Sequence, residues 1–310
     1  MSAVLSIILG VLEEGLVYSI MAMGVYITYK ILDFPDLSVD GTFPLGSAVT
    51  AVLIIAGVNP VLTLFISFLI GACAGMLTGL IHVKLKVRDL LSGIIMMTAL
   101  YSLNLRIAGK ANLPIFSQET IFKNNFFKTV VPKSLQPFTM LAVLLIIAII
   151  MKLLLDGYLK TKSGYLLRAV GDNEVLVTAL AKDKGTVKII GLAIANAFVA
   201  LAGSIYAQKS GFFEISTGTG TIVIGLASVI IGTNLFKRSP LIKANGVLKQ
   251  GITVKATTAV IVGAILYKAC VALAIAAGME ASDLKLITAL LFLIILVVSN
   301  DRKRRVKAND

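Results

Sequence analysis

Of the 310 residues, 57% are hydrophobic and 15% are charged, and the mean hydropathy is +0.94; an ordinary soluble domain is about one quarter charged, so disorder and a soluble globular fold are both excluded. The net charge of +13 would suggest nucleic acid for a soluble chain, but in an apolar one the positions of the basic residues report orientation, and no nucleic-acid partner is expected. Cys73 and Cys270 each lie in an apolar run, which excludes a disulfide framework and reads as two small buried hydrophobes.

A bilayer span takes about 20 mostly apolar residues. Hydropathy and breakers place such segments at about 5–29, 44–57, 60–83, 90–108, 138–156, 187–209, 220–236, 256–277 and 284–300. The expected fold is all-α: a polytopic transmembrane helix bundle in a single transmembrane domain over 1–310, with about nine membrane segments, two of them short or broken (44–57 and 220–236). The start of the chain lacks the basic residues and cleavage pattern of a secretory signal and is expected to stay as part of the first span. Glu13 and Glu14 lie inside that span, where a charge at the bilayer centre costs at least about 2.5 kcal/mol. The favoured reading lays the first dozen residues along the outer surface; the other pairs one glutamate with a cation such as Lys268.

After the first span comes the densest polar cluster, Leu32 to Pro44, with three aspartates, Pro35 and Gly41. These breakers stop one helix and restart another, and hydrocarbon tolerates such backbone only where protein packs it or a water-filled cavity faces it. Ser38, Asp40 and Thr42 are candidate caps of the restarted helix. Equally, as polar groups at membrane depth, they are candidates for a solute pathway, and the residues alone leave both open. Gly41-Thr42-x-x-x-Gly46-x-Ala48 recurs as Gly220-Thr221-x-x-x-Gly225-x-Ala227, which suits either opposed copies of a broken helix or chance among residues common in membrane helices; the distribution of basic residues runs the first outward and the second inward.

Further along, 109–137 is the longest loop on one face, expected outside, and 157–187 is a polar segment on the other, expected in the cytoplasm. Most basic residues fall on the second face: Lys30, the Lys84 to Arg88 cluster, and those within 152–188, 237–255 and 302–307. The opposite face holds Arg106, Lys110, Lys123, Lys128, Lys133 and Lys209. Retention of positive charge inside then makes the C-terminus cytoplasmic and the N-terminus external. Within 163–182 the pattern reads as a turn followed by a short helix, with Asp172 or Asn173 as N-cap, Glu174 in the first turn and Lys182 and Lys184 near its end before Gly185. Val175, Leu176, Ala179 and Leu180 give it one apolar face, which suits a helix lying on its own bundle or one docking a cytoplasmic protein.

No phosphate loop or nucleophile elbow is present, and His82 is the one histidine, so no catalytic or metal-ligating residue is assigned and an enzyme is not expected. Two rival transporters remain. An ion-coupled carrier would bind a proton or sodium ion at Asp33, Asp36 or Asp40. A passive channel would need a continuous polar stripe, whereas the spans show only isolated Asn104, Asn196 and Gln208.

The stretch Gly24 to Gly41, GVYITYKILDFPDLSVDG, together with LRAVGDN at Leu167 to Asn173, resembles the permease subunits of bacterial ATP-binding-cassette importers. It is similar to the branch with branched-chain amino acid and ribose permeases, and most resembles a subgroup linked to tryptophan or tyrosine uptake. The resemblance implies inward movement of a small solute, an amino acid, by alternating access in a bacterial plasma membrane. It further implies a second permease copy as homodimer partner or a pair of similar permeases, two cytoplasmic ATP-binding subunits that hold ATP and Mg, and an extracellular solute-binding lipoprotein, with no cofactor in this chain. It maps an ATPase-coupling loop onto Arg168, Ala169, Gly171, Asp172, Asn173, Glu174 and Gly185. It maps a translocation pathway onto Asp36, Ser38, Asp40, Gly41, Thr42 and Phe43, with Gly220 and Thr221. Gly71, Gly75, Gly79, Ala200 and Gly203 are expected to permit close helix contacts.

Overall fold

The structure, a computed structural model, describes residues 3–124, 132, 136–173, 177, 183–236, 242–244, 247–249, 255–278, 283, 286–290 and 292–297. Helix α1 (Ala3–Val25) runs on through a π-helical turn (Tyr26–Ile31) and is followed by α2 (Val39–Ile55), α3 (Pro60–Lys84), α4 (Asp89–Ala108), strand β1 (Asn112–Pro114), α5 (Gln136–Tyr158) and α6 (Lys162–Asp172). The second half holds α7 (Lys184–Ser210), β2 (Phe212–Glu214), a 3-10 turn (Ile215–Gly218), α8 (Thr221–Phe236), the β3–β4 pair (Ile242–Ala244 and Val247–Lys249), α9 (Ala256–Ala276) and a shorter apolar helix, α10 (Leu286–Val297). Among the described residues, seven stretches are long and apolar enough to cross a bilayer, and α2 and α10 are shorter. The expected all-α bundle is what forms, with each anticipated segment present to within a few residues.

Helix α7 is the axis of the bundle. Glycines of α3 let that helix approach it closely: a side chain on Gly71 would strike Ala200 and the carbonyl of Asn196, one on Gly75 the carbonyl of Leu192, and one on Gly79 the backbone of Ile189. Helix α2 crosses α7 just as tightly, with Gly46 against Ala200 and Gly203 against Phe43. Thr50 of α2 bonds Ser67 of α3 (2.9 Å) and Ser204 of α7, so a buried hydroxyl cluster ties the three helices where lipid could not satisfy it. Helix α5 faces outward along most of its length, exposing Ile146, Leu153 and Leu154 as a hydrocarbon-facing surface.

The bundle has two distinct ends. One carries the antiparallel β1–β2 pair, which packs Leu113 and Phe213 against Ala48, Ala51 and Ile54 of α2. The other carries α6, where Asp156 at the end of α5 bonds Lys152, Lys255 and Thr257.

Three expectations change. Cys73 and Cys270 are exposed on the helix surfaces, not buried, because their helices turn those faces away from the core. Helix α1 is continuous, with no separate surface segment: Glu14 pairs with Lys268 (3.0 Å) and Glu13 with Lys209 (3.8 Å), so partners on α9 and α7 compensate the charges. The stretch expected as a turn before residue 172 is instead the amphipathic helix α6, capped by Thr161, whose Oγ1 accepts the Gly164 N–H. Gly164, Leu167 and Val170 face inward at helical spacing, while Asp172 ends the helix and Asn173 is its C-cap. Glu174, Val175, Leu176, Ala179, Leu180 and Lys182 lie outside the described residues; the N–H of Val177, which is helical, donates to the Asn173 carbonyl.

Candidate functional site at the junction of two half-helices

The chain between α1 and α2 enters the protein interior without regular structure. Asp33, exposed, adopts a left-handed conformation (φ 51°), and Phe34 packs edge-on against His82. Asp36 is then fully buried. Its Oδ1 accepts the Ser38 N–H (2.9 Å) and its Oδ2 accepts Asn196 Nδ2 (2.8 Å), while Ser38 Oγ donates to Asn196 Oδ1 (3.2 Å). Three polar residues thus saturate one another at membrane depth, as irregular backbone there requires. Thr42 Oγ1 donates back to the Ser38 carbonyl (3.0 Å), and Asn104 Nδ2 donates to the Gly41 carbonyl (3.0 Å).

Asp40 does not cap its own helix. Its carboxylate accepts the N–H groups of Gly220 (2.9 Å) and Ile222 (2.8 Å) and the Thr221 hydroxyl (2.9 Å), so it caps α8, in the other half of the sequence. Charge and geometry agree, since a helix N-terminus offers free donors and a partial positive charge. Gly220 is left-handed (φ 87°), a conformation that costs glycine little and other residues more. From this junction α2 runs to the β1–β2 end and α8 to the α6 end. With 17 and 16 residues, at about 1.5 Å each, the two helices reach about 25 Å in opposite directions. The matched Gly-Thr motifs sit where the two N-termini meet.

A cavity of about 300 Å³ opens beside the junction, lined by Asp40, Gly41 and Pro44 of α2, by Thr98, Tyr101, Ser102 and Asn104 of α4, and by Thr219. Thr98, Ser102 and Arg106, spaced four apart on α4, are all exposed and give an otherwise apolar helix a polar stripe. That stripe escaped the sequence reading, although its i, i+4 spacing is the signal that reveals it. Asn104 and Asn196, read as isolated, are the cross-links of the junction. Phe43 lies off this cavity, stacked on Tyr18 (5.8 Å between centroids).

The coupling candidates divide between two faces. Arg168, Asp172 and Asn173 are exposed on α6, beside Tyr165. Gly171 turns inward: a side chain there would strike the carbonyl of Ile31, so α6 rests on the chain leading into the broken segment. Ala169 packs against the core, and Gly185 lies in the first turn of α7, capped by Asp183, rather than at the end of a docking helix.

The family model for the permease component of branched-chain amino acid transport systems matches residues 7–298. The chain belongs to that family. It is a multi-pass membrane permease, and a permease component is one part of a transport system. It is 43% identical to a tyrosine transport system permease protein of Clostridioides difficile, over 94% of this chain and 91% of that protein. It is 27% identical to a probable branched-chain amino acid transport permease protein of Methanocaldococcus jannaschii, over 69% of this chain and 70% of that one. It is also 28% identical to a nucleoside ABC transporter permease of Lactococcus lactis, over 64% and 66%. No solved structure matches the chain.

Proposed function

We propose that this permease is the membrane pathway of an ATP-driven importer that moves an amino acid inward by alternating access, as its tyrosine-transport relative suggests. The carrying observation is the junction at Asp40, where two half-helices of opposite direction meet beside a polar cavity. The stripe Thr98, Ser102 and Arg106 would be costly against lipid, so a second copy of the chain covers it and the facing cavities form one pathway. The β1–β2 end then faces a solute-binding lipoprotein outside. The α6 end, with the C-terminus, faces two cytoplasmic subunits that bind ATP and Mg and do the hydrolysis, this chain being no enzyme.

Closure of those subunits moves α6 through its exposed Tyr165, Arg168 and Asp172. Gly171 passes the motion to Ile31 and so to the Leu32–Val39 segment. There Asp36 holds α7 through Asn196, and Asp40, which itself lines the cavity, holds α8, so the displacement reaches the cavity wall. The ion-coupled alternative needs Asp33, Asp36 or Asp40 to be open to a proton or sodium ion inside the bundle. Instead Asp33 is exposed, and each oxygen of the other two already accepts an N–H or O–H.

The test is uptake of radiolabelled L-tyrosine by proteoliposomes. The permease with its ATP-binding partner and binding protein should accumulate solute only with ATP inside. Accumulation by the permease alone, driven by a proton or sodium gradient, would sink this reading.

A further inference from the structure

Thr219 also lines a second cavity, of about 420 Å³, which is edged by α1, α7, α8, α9 and α10 and includes no residue of α4. Glu14 and Lys268 meet at its wall, Nζ to Oε2 3.0 Å, with side chains 46% and 13% exposed. The same ammonium lies 3.9 Å from the centre of the Tyr18 ring. Tyr18, Tyr206 and Tyr267 line the space, and Phe43, stacked on Tyr18 and 5.6 Å from Tyr206, fixes two of these rings from behind. Neither charge takes part in the Asp40 junction or in the contacts of α6.

We propose that this cavity is a binding subsite within each subunit for a zwitterionic amino acid with an aromatic side chain. The ligand's ammonium goes to Glu14, its carboxylate to Lys268 and its ring among the three tyrosines. The charges set the ligand class. A half-desolvated ion pair is stable only as a couple, so a ligand of single charge would leave one member without compensation. A zwitterion that inserts between them gives each a new partner and leaves no net charge behind. Three aromatic walls suit a ring in offset or edge-on contact, and the volume lies in the range of small-molecule sites, about 300–1,000 Å³. The position gives binding a consequence, because the ligand touches Thr219 and Gly220, and Asp40 holds the Gly220 N–H from the pathway side.

The subsite rests on the importer reading for its part in transport, while binding follows from the cavity alone. The test is equilibrium binding of radiolabelled L-tyrosine to the purified full-length permease in lipid nanodiscs, with no binding protein present. Saturable binding is expected, with tyramine, which lacks the carboxylate, and 3-(4-hydroxyphenyl)propionate, which lacks the amine, competing at least about tenfold more weakly. Glu14→Gln and Lys268→Met should each weaken binding by about tenfold or more. The double variant removes both charges together and should unfold near the wild-type temperature while still failing to bind. Val271→Phe narrows the cavity without touching either charge and should also abolish binding. Absence of saturable binding by the wild type, equal competition by tyramine, or wild-type binding by the double variant would each overturn the subsite. ATP-driven uptake by the assembled importer with no binding here removes the subsite and leaves the pathway standing. Binding here without ATP-driven uptake supports the subsite and removes the importer reading.

Discussion

The carbonyl of Ile31 occupies the space that a side chain on Gly171 would need. One contact therefore joins α6, the helix proposed to meet the cytoplasmic partner, to the broken segment that leads to Asp36 and Asp40. Gly171→Leu forces these elements apart. Uptake should fall by about tenfold or more while ATP hydrolysis by the partner subunits persists, because the docking face at Tyr165, Arg168 and Asp172 is untouched. Parallel measurement of uptake and hydrolysis decides it, and coupled transport at wild-type rate would remove the contact from the mechanism.

Asp40 satisfies three donors at the start of α8. Asp40→Ala leaves the Gly220 and Ile222 N–H groups unpaired, while the Thr221 hydroxyl keeps the Gly218 carbonyl (3.0 Å), and should destabilise the protein by about 2 kcal/mol, the upper end of the capping range. Asp40→Asn keeps an oxygen for Thr221 and Ile222 but turns an amide donor towards the Gly220 N–H, so about half of that loss is expected. Thermal unfolding in detergent measures both, and the order Ala, then Asn, then wild type is the outcome to look for. Exchange of the half-buried Asp89 for alanine should cost less than either.

If two copies meet along α4, a cysteine placed at Ser102 lies near its counterpart in the other copy. Ser102→Cys in a background with Cys73 and Cys270 replaced should form an oxidant-dependent dimer on gels and react with a water-soluble maleimide. The same change at Leu153, exposed on α5, should do neither. Equal behaviour of the two positions would exclude the α4 interface.

Asp183 holds the first turn of α7 by accepting the Thr186 hydroxyl and the N–H groups of Gly185 (2.9 Å) and Thr186 (3.3 Å). The Thr186 hydroxyl, then the Gly185 N–H, lower the carboxyl below its ordinary value of 3.8. A carboxyl lowered in the folded state stabilises it fully above the ordinary value, and the effect is lost as pH falls through the lowered one. The melting temperature of Asp183→Ala should therefore lie below that of the wild type at neutral pH, and the gap should close as the pH falls below 3.8 and through the lowered value. A gap that persists in acid would place the effect in packing.

Much of the architecture is legible in the residues themselves. Lipid demands long apolar runs with their backbone bonds closed within each helix, so the spans announce themselves. The break at Pro35 and Gly41 and the shared Gly-Thr motif are equally visible, since proline and glycine act on their own neighbours. The α6 stretch looks like a turn in sequence, although Gly164, Leu167 and Val170 mark one helical face. Asp40 was legible as a cap but not as the cap of α8, since its donors stand 180 residues away in the case of Gly220.

Sequence alone thus determined that the chain is a membrane helix bundle, where it breaks and which segments are polar, because those follow from solvent preference and local backbone chemistry. Tertiary structure alone decided which charges meet, Glu14 with Lys268 and Asp40 with α8, and that Gly171 faces Ile31. Such pairings depend on how the helices rotate and pack, and small residues along α7 fix that rotation through contacts between segments far apart in the chain.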